Sequence, residues 1–185
     1  MFRFNRKTSA CLAAAGLAFA MFAATAVAHE SESELISAAN STLATFQQTD
    51  PSMTALLNRA PGYVVFPAIG KAGLGVGGAH GKGVLFEGGK PVGKAELTQV
   101  NVGAEAGAQK YGEVIVFETQ ANLAKFTEGK FAFSGNVSAV AVKSGASANA
   151  RFTNGVAVFT EGEGGLMVEA SIGGQKFSYH PFGAH

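Results

Sequence analysis

The 185-residue chain has no tryptophan, one cysteine and five prolines, and only 15% of its residues are charged. One cysteine excludes a disulfide within the chain and a cysteine-clustered metal centre. A formal net charge of +1 supplies no global field for capturing nucleic acid, and neither an acidic tail nor a basic arm occurs. The low charge is set against 47% hydrophobic residues, which excludes a wholly disordered chain, because enough apolar surface exists to offset ordering entropy. The length predicts one domain. What the chain has in excess is glycine, 25 residues of it, without a collagen-like period.

Residues Met1–Lys7 carry Arg3, Arg6 and Lys7 and no acid. Thr8–Ala24 is apolar and alanine-rich, and Ala26-Val27-Ala28 has the A-x-A form read at a cleavage site. That order predicts a signal peptide over residues 1–28 and an exported, periplasmic or secreted protein. The rival is a retained membrane anchor, since Ser9–Ala28 is nearly long enough to span. Alanine is a weak membrane residue and small residues stand at the cut, so cleavage is the preferred reading. Thr8-Ser9-Ala10 is a poor lipobox before Cys11, so lipidation is not expected. Removing Arg3, Arg6 and Lys7 from the 14 basic residues leaves 11 against 13 acidic ones, a formal charge of −2. Cys11, the sole thiol, leaves with them.

After the leader, residues 29–58 read as a helical segment. Ser31 and Glu34 form a capping box, and Leu35, Ile36, Ala39, Leu43 and Phe46 recur at helical spacing over Glu30–Gln48. Asp50-Pro51 opens a second, short helix through Met53, Leu56 and Leu57. Glu30, Glu32 and Glu34 on the polar face favour a helix covering a sheet over one lying on a membrane.

From Gly62 the period becomes two. Strands are predicted at Tyr63–Phe66, Gly73–Phe86, Val92–Gln109, Glu113–Phe117, Phe131–Val142, Val156–Phe159 and Leu166–Ile172, with a turn between Glu105 and Glu113. Glu87-Gly88-Gly89-Lys90, Glu161–Gly165 and Gly173-Gly174 supply turns. Thr119 caps one short helix over Gln120–Phe126, with Gly129 just beyond it. The fold class is therefore α+β: N-terminal helices packed on a strongly coiled antiparallel β-sheet or small barrel.

Two glycine clusters imitate nucleotide motifs. Gly73–Gly78 contains G-x-G-x-x-G, but alternation continues on both sides with no helix to receive a pyrophosphate. Gly88–Lys94 has P-loop spacing, but Ala95 stands where the magnesium-ligating hydroxyl belongs, and Pro91 removes a phosphate-facing N–H. The alternation reads better as backbone stripped of side chains. Gly73, Gly75 and Gly77 share one strand face, and Gly103 and Gly107 another, permitting close approach of a second layer, sharp coiling, or a lipid chain against the sheet. Close packing is the preferred reading.

The stretch Val64–Gly83, with Gly70, Gly73, Gly75, Gly77, Gly78, Gly81 and Gly83, resembles the signature of the SYLF domain family. Gly103–Phe117 with the Leu123–Phe126 helix is similar to its next segment, and Gly164–Gly174 to its closing hairpin. The likeness covers about Arg59–Phe177, so residues 59–185 are taken as the β-rich SYLF-like domain. It implies binding of phosphoinositides or other anionic lipids, no established enzymatic reaction, and for some eukaryotic members binding of actin. An exported protein does not meet cytosolic actin, so that partner is not carried over. Glu105 departs from a glutamine common in the family, and His80 from a frequent aromatic.

Lys71, Lys82, Lys90 and Lys94 bracket the glycine strands and are the candidate lipid-phosphate ligands, since each cation near an anionic surface is worth about 1 kcal/mol. His29, His80, His180 and His185 form no zinc pattern. After cleavage at Ala28, however, His29 becomes an N-terminus whose amine and imidazole could chelate copper together with His80 or His180. No serine of Ser134, Ser138, Ser144 and Ser147 sits in a nucleophile elbow, and Glu105, Glu113, Glu161 and Glu163 nominate no catalytic pair. The chain ends Pro181–His185 without aromatic girdles, unlike an outer-membrane barrel. The reading is an exported, non-enzymatic lipid-binding protein with no cofactor. A structural or protein-interaction module using a sheet edge and the copper protein are the alternatives.

Overall fold

The computed structural model describes residues 31–133, 139–162 and 174–183, and at 74–76 and 101–107 the backbone alone. The leader, His29, the proposed strand Leu166–Ile172 and most of the closing hairpin Gly164–Gly174 lie outside the described residues.

Helix α1 (Glu32–Thr49) starts at the capping box: Ser31 Oγ accepts the Glu34 N–H, and Glu34 accepts the Ser31 N–H. It buries Leu35, Ala39, Leu43 and Phe46, one stripe at helical spacing. Helix α2 (Ser52–Arg59) follows across Asp50-Pro51. Helix α3 (Gln120–Thr127) is capped by Thr119, whose hydroxyl accepts the Asn122 N–H, and Gly129 just beyond it takes φ +68°.

The strands are longer than the alternation suggests. β1 runs unbroken from Tyr63 to Glu87 and β2 from Lys90 to Phe117, joined by Gly88 and Gly89 at φ +54° and +76°. Two positive φ values make the mirror-image turn that matches strand twist. Both nucleotide-like glycine clusters therefore lie in this hairpin, with no helix after either. The expected breaks near Pro67 and between Glu105 and Glu113 are register shifts or continuous strand instead. Pairing passes from Phe66 to Ile69 and from Leu74↔Ala106 to Val76↔Val102, and Glu113 is ladder-paired with Phe66. Irregular pairing bends a strand without ending it.

β2 is the spine of the sheet. On its other side β5 (Gln175–Pro181) pairs along residues 93–99 and β4 (Val156–Gly162) along 111–117, both antiparallel. β3 (Val140–Ala141) joins β4 in parallel. The fold is α+β, but the sheet is mixed, not wholly antiparallel, and the described strands do not close a barrel. Of the predicted strand Phe131–Val142, the described residues contain β3 and an isolated bridge from Ala132 to Lys176.

β1 curls until its second half lies against its first. A β-carbon on Gly83 would stand 2.6 Å from the Phe66 ring and 2.7 Å from the Val65 carbonyl oxygen. One on Gly81 would stand 2.8 Å from Ile69 Cγ1, and one on Gly77 2.8 Å from the Ala72 carbonyl oxygen. Curling separates two cores. One holds α1 and α2 against Tyr63, Val65, Val84, Phe86, Val114 and Val116. The other joins the alternate residues, Val64, Phe66, Leu85, Leu97, Ile115 and Phe117, to α3 and to Phe131, Phe133 and Phe177. Phe126 contacts Phe117, Phe131 and Phe177 at ring-centroid distances of 5.2–6.1 Å.

Asp50 ties the helices to a 3-10 turn at Ser147–Asn149. Its buried carboxylate accepts the N–H (3.1 Å) and hydroxyl (2.6 Å) of Ser52, the Gly145 N–H (3.1 Å), and the N–H (2.7 Å) and hydroxyl of Ser147. Burial alone would raise its pKa, but these donors outweigh it and hold the group well below the usual carboxylate range.

Gly83→Ala is expected to cost about 1–3 kcal/mol by overpacking against Phe66 and backbone. Gly70→Ala, with nothing within 4 Å of its β-carbon, is expected to be neutral or to gain up to about 1 kcal/mol. Urea unfolding of the pair measures the difference. Asp50→Ala orphans buried N–H groups and is expected to lose about 2–4 kcal/mol at pH 7. Because the folded pKa is lowered, that stability is present above the ordinary value of 3.8 and is lost as pH falls below it. The wild-type advantage over Asp50→Ala should therefore shrink in acid.

Candidate functional site

Alternation sorts the far half of the hairpin into a buried side and an open side. On β2, residues 93, 95, 97 and 99 are buried, while 94, 96, 98 and 100 face outward. Register continues that outward row on both flanks. Thr98 lies opposite His80 and Lys176, Glu96 opposite Lys82 and Ser178, and Lys94 opposite Val84 and His180. Val84 and Phe86 are covered as part of the helix-facing core, so the face opens from Lys82 outward.

This open face is a three-strand platform carrying Lys82, Lys94, Lys176, His80 and His180 around Glu96, the one acid of this row among the described residues. Lys94 Nζ lies 2.6 Å from Glu96 Oε1, and both side chains are about one-third exposed, at 36% and 33%. The hydrogen bond from Lys94 holds the Glu96 carboxyl below its ordinary value against slight desolvation, with the charges of Lys94, His80 and His180 acting in the same direction. Val100, 67% exposed, continues the row beyond Thr98. Such a face offers several cations to a flat anionic surface.

Of the sequence candidates, Lys82 and Lys94 come together here. Lys90 stands exposed at the hairpin turn opposite Glu87. Lys71 shares the row of buried Ile69 on the other half of β1, is half-buried opposite Gln109, and already has an interaction partner. Gly77, Gly81 and Gly83 sit at the close approach of the curled strand. A β-carbon on Gly78 would stand 3.1 Å from the Gln99 carbonyl oxygen. Gly73 pairs with Gly107, while Gly75 and Gly103 fall in the register shift between Leu74 and Val76.

Lys176 escaped sequence reasoning, which placed no strand after Gly174. The alternation of Gln175, Phe177 and Tyr179 with Lys176, Ser178 and His180 was the available signal. His80 and His180 were weighed as metal ligands, not as part of an anion-binding face. Among the described residues, no three His, Cys, Asp or Glu side chains gather as a metal site.

A second polar cluster is interior. Glu113, on the C-terminal half of β2, is fully buried and opposite buried Thr160. Gln175 Nε2 lies 3.5 Å from Glu113 Oε2 and 3.4 Å from Gln99 Oε1, long contacts that leave Glu113 Oε1 and Gln175 Oε1 without partners. Burial pushes the Glu113 carboxyl up to about 8 despite the opposing hydrogen bond from Gln175. The sequence put Glu113 beside a turn, at the start of a strand. The structure puts it mid-strand in the row of Tyr111, Ile115 and Phe117.

With this geometry described, likeness to known proteins adds a class. Residues 98–180 match the family model Ysc84, described as "Las17-binding protein actin regulator". The chain is also 31% identical over 130 residues to Beta cell expansion factor A of Aeromonas veronii. That alignment takes in 69% of this chain and 49% of the relative, so the chain spans about half the length of the curated protein it matches. The chain carries a domain of the Ysc84, or SYLF, family. Membership supports a lipid-binding type of domain.

Glu113 predicts a measurable pH dependence. The folded state keeps its proton up to about 8, whereas the unfolded state sheds it above about 4.5, so stability falls as pH rises between those values. The slope from this one group is about 1.4 kcal/mol per pH unit in mid-window. Glu113→Gln should remove that decline in denaturant midpoints measured from pH 5 to 8. A decline of equal slope in the variant would refute the assignment.

Proposed function

We propose that this is an exported, non-enzymatic protein whose platform docks on anionic lipid headgroups at a membrane surface. The observation that carries the reading is the convergence of Lys82, Lys94, Lys176, His80 and His180 on one open sheet face, from three strands held in register. A face with cations spread over three strands suits a bilayer better than a small anion, because Lys82, Lys94 and Lys176 each stand on a different strand. Domain membership in a lipid-binding type of family supports the class of ligand. The amino-terminal leader supports export, which would place the partner membrane outside the cytosol and away from actin.

Flotation of the purified protein with phosphatidylglycerol-containing vesicles and with pure phosphatidylcholine vesicles tests the reading. Salt-sensitive binding to the anionic vesicles alone is expected. Lys82→Gln with Lys176→Gln should weaken it roughly thirtyfold, taking each cation at about 1 kcal/mol. Lys71→Gln should stay within about twofold, because a cation off the docked face is screened from the surface. Equal binding to both vesicle types, or none to either, would move a protein-interaction role ahead.

A further inference from the structure

The acid at the centre of the platform has no structural duty that its position explains. Glu96 lies on the middle strand, flanked by Lys82 on one side and Ser178 on the other, with Lys94 two residues before it on the same face. A buried ion pair would matter to stability, but this pair is about one-third exposed, and such pairs contribute little to folding. Its effect on the face is larger than its effect on the fold. At 2.6 Å, Glu96 occupies the Lys94 ammonium. His80, opposite Thr98, and His180, opposite Lys94, stand on the strands to either side of it. An anion approaching the platform therefore meets a carboxylate already tethered where the anion needs to be.

We infer that Glu96 is a specificity-determining residue of this face, an internal counter-ion that an anionic surface must displace from Lys94 before the platform docks. The inference rests on the membrane-docking reading. A tethered competitor acts at high effective concentration, so a sparse or singly charged surface displaces it poorly. A dense anionic surface displaces it well, because many headgroups face the platform at once and the liberated Lys94 adds its charge to Lys82 and Lys176. Glu96 thus sets a threshold of surface charge density below which the domain stays off the membrane. Two features separate this from a bulk charge effect. The consequence is local to the platform, and it is greatest on weakly charged surfaces.

The test is flotation of the full chain with vesicles whose phosphatidylglycerol fraction is stepped upward in phosphatidylcholine. Wild type, Glu96→Gln and Glu118→Gln are compared at fixed salt, with thermal unfolding to show that each variant is folded. Glu118 is exposed beyond the far end of β2, so its change alters net charge equally without touching the platform. Glu96→Gln is expected to bind roughly tenfold more tightly at low anionic fraction and to reach half-binding at a lower fraction. At high fraction the curves should converge, and Glu118→Gln should follow wild type. If wild type floats but Glu96→Gln follows it at every composition, the counter-ion role is overturned and membrane docking stands. If both acid variants gain equally, net charge is the cause and the role is again overturned. If neither wild type nor Glu96→Gln floats at any composition, membrane docking itself falls and the inference falls with it.

Discussion

The closeness of β1 to itself is the constraint on which the remaining architecture depends. A 25-residue strand cannot lie flat within so small a domain, and its second half folds against its first only where side chains are missing. Gly77, Gly81 and Gly83 supply that absence, with carbonyl oxygens and the Phe66 ring occupying the space their side chains would take. Curling then decides which residues are neighbours. Tyr63 at one end of β1 stacks on Phe86 at the other, ring centroids 5.3 Å apart, and both meet the helices. The alternate residues turn toward α3 and the phenylalanine cluster, so one hairpin contributes to both cores.

Local chemistry was legible and long-range chemistry was not. The capping box at Ser31, the Thr119 cap and the Gly88-Gly89 turn are decided by residues within four positions of each other, and the sequence states them directly. The glycine stripes correctly excluded nucleotide motifs, because continued alternation leaves no helix. What alternation cannot show is where a strand merely shifts register. Pro67 and the glycines near 105–112 look like breaks, yet pairing carries through or around them. Misplacing a turn there also hid that Glu113 lies mid-strand in the interior. Lys176 was lost for another reason: a seven-residue strand next to a terminus gives few periods to read.

The platform was half legible for a related reason. Lys82 and Lys94 flank the glycine segments in sequence, so proximity along the chain suggested both. Their partners Lys176, His80 and His180 are assembled by register across three strands, a relation no linear spacing displays. Lys71, equally close in sequence to the glycines, falls in a different row because an odd number of positions separates it from Lys82 along β1, so alternation assigns the two to opposite faces. A net charge of +1 concealed all of this, since net charge says nothing about how charges are sorted between faces.

β2 itself carries the clearest case of environment deciding chemistry. Glu96 and Glu113 are the same side chain on the same strand, one in the outward row and one in the inward row. Glu96 meets Lys94 in partial solvent and is held ionised; Glu113 meets Gln175 beside an aromatic core, and burial pushes its carboxyl up to about 8. Only the first can compete with an external anion, because competition requires a standing negative charge within reach of the surface. The second is fully buried, so its charged form is disfavoured and it stands out of reach of the surface. The carboxylate held ionised by a cation therefore stands on one side of the strand, and the carboxyl whose charged form burial disfavours stands on the other.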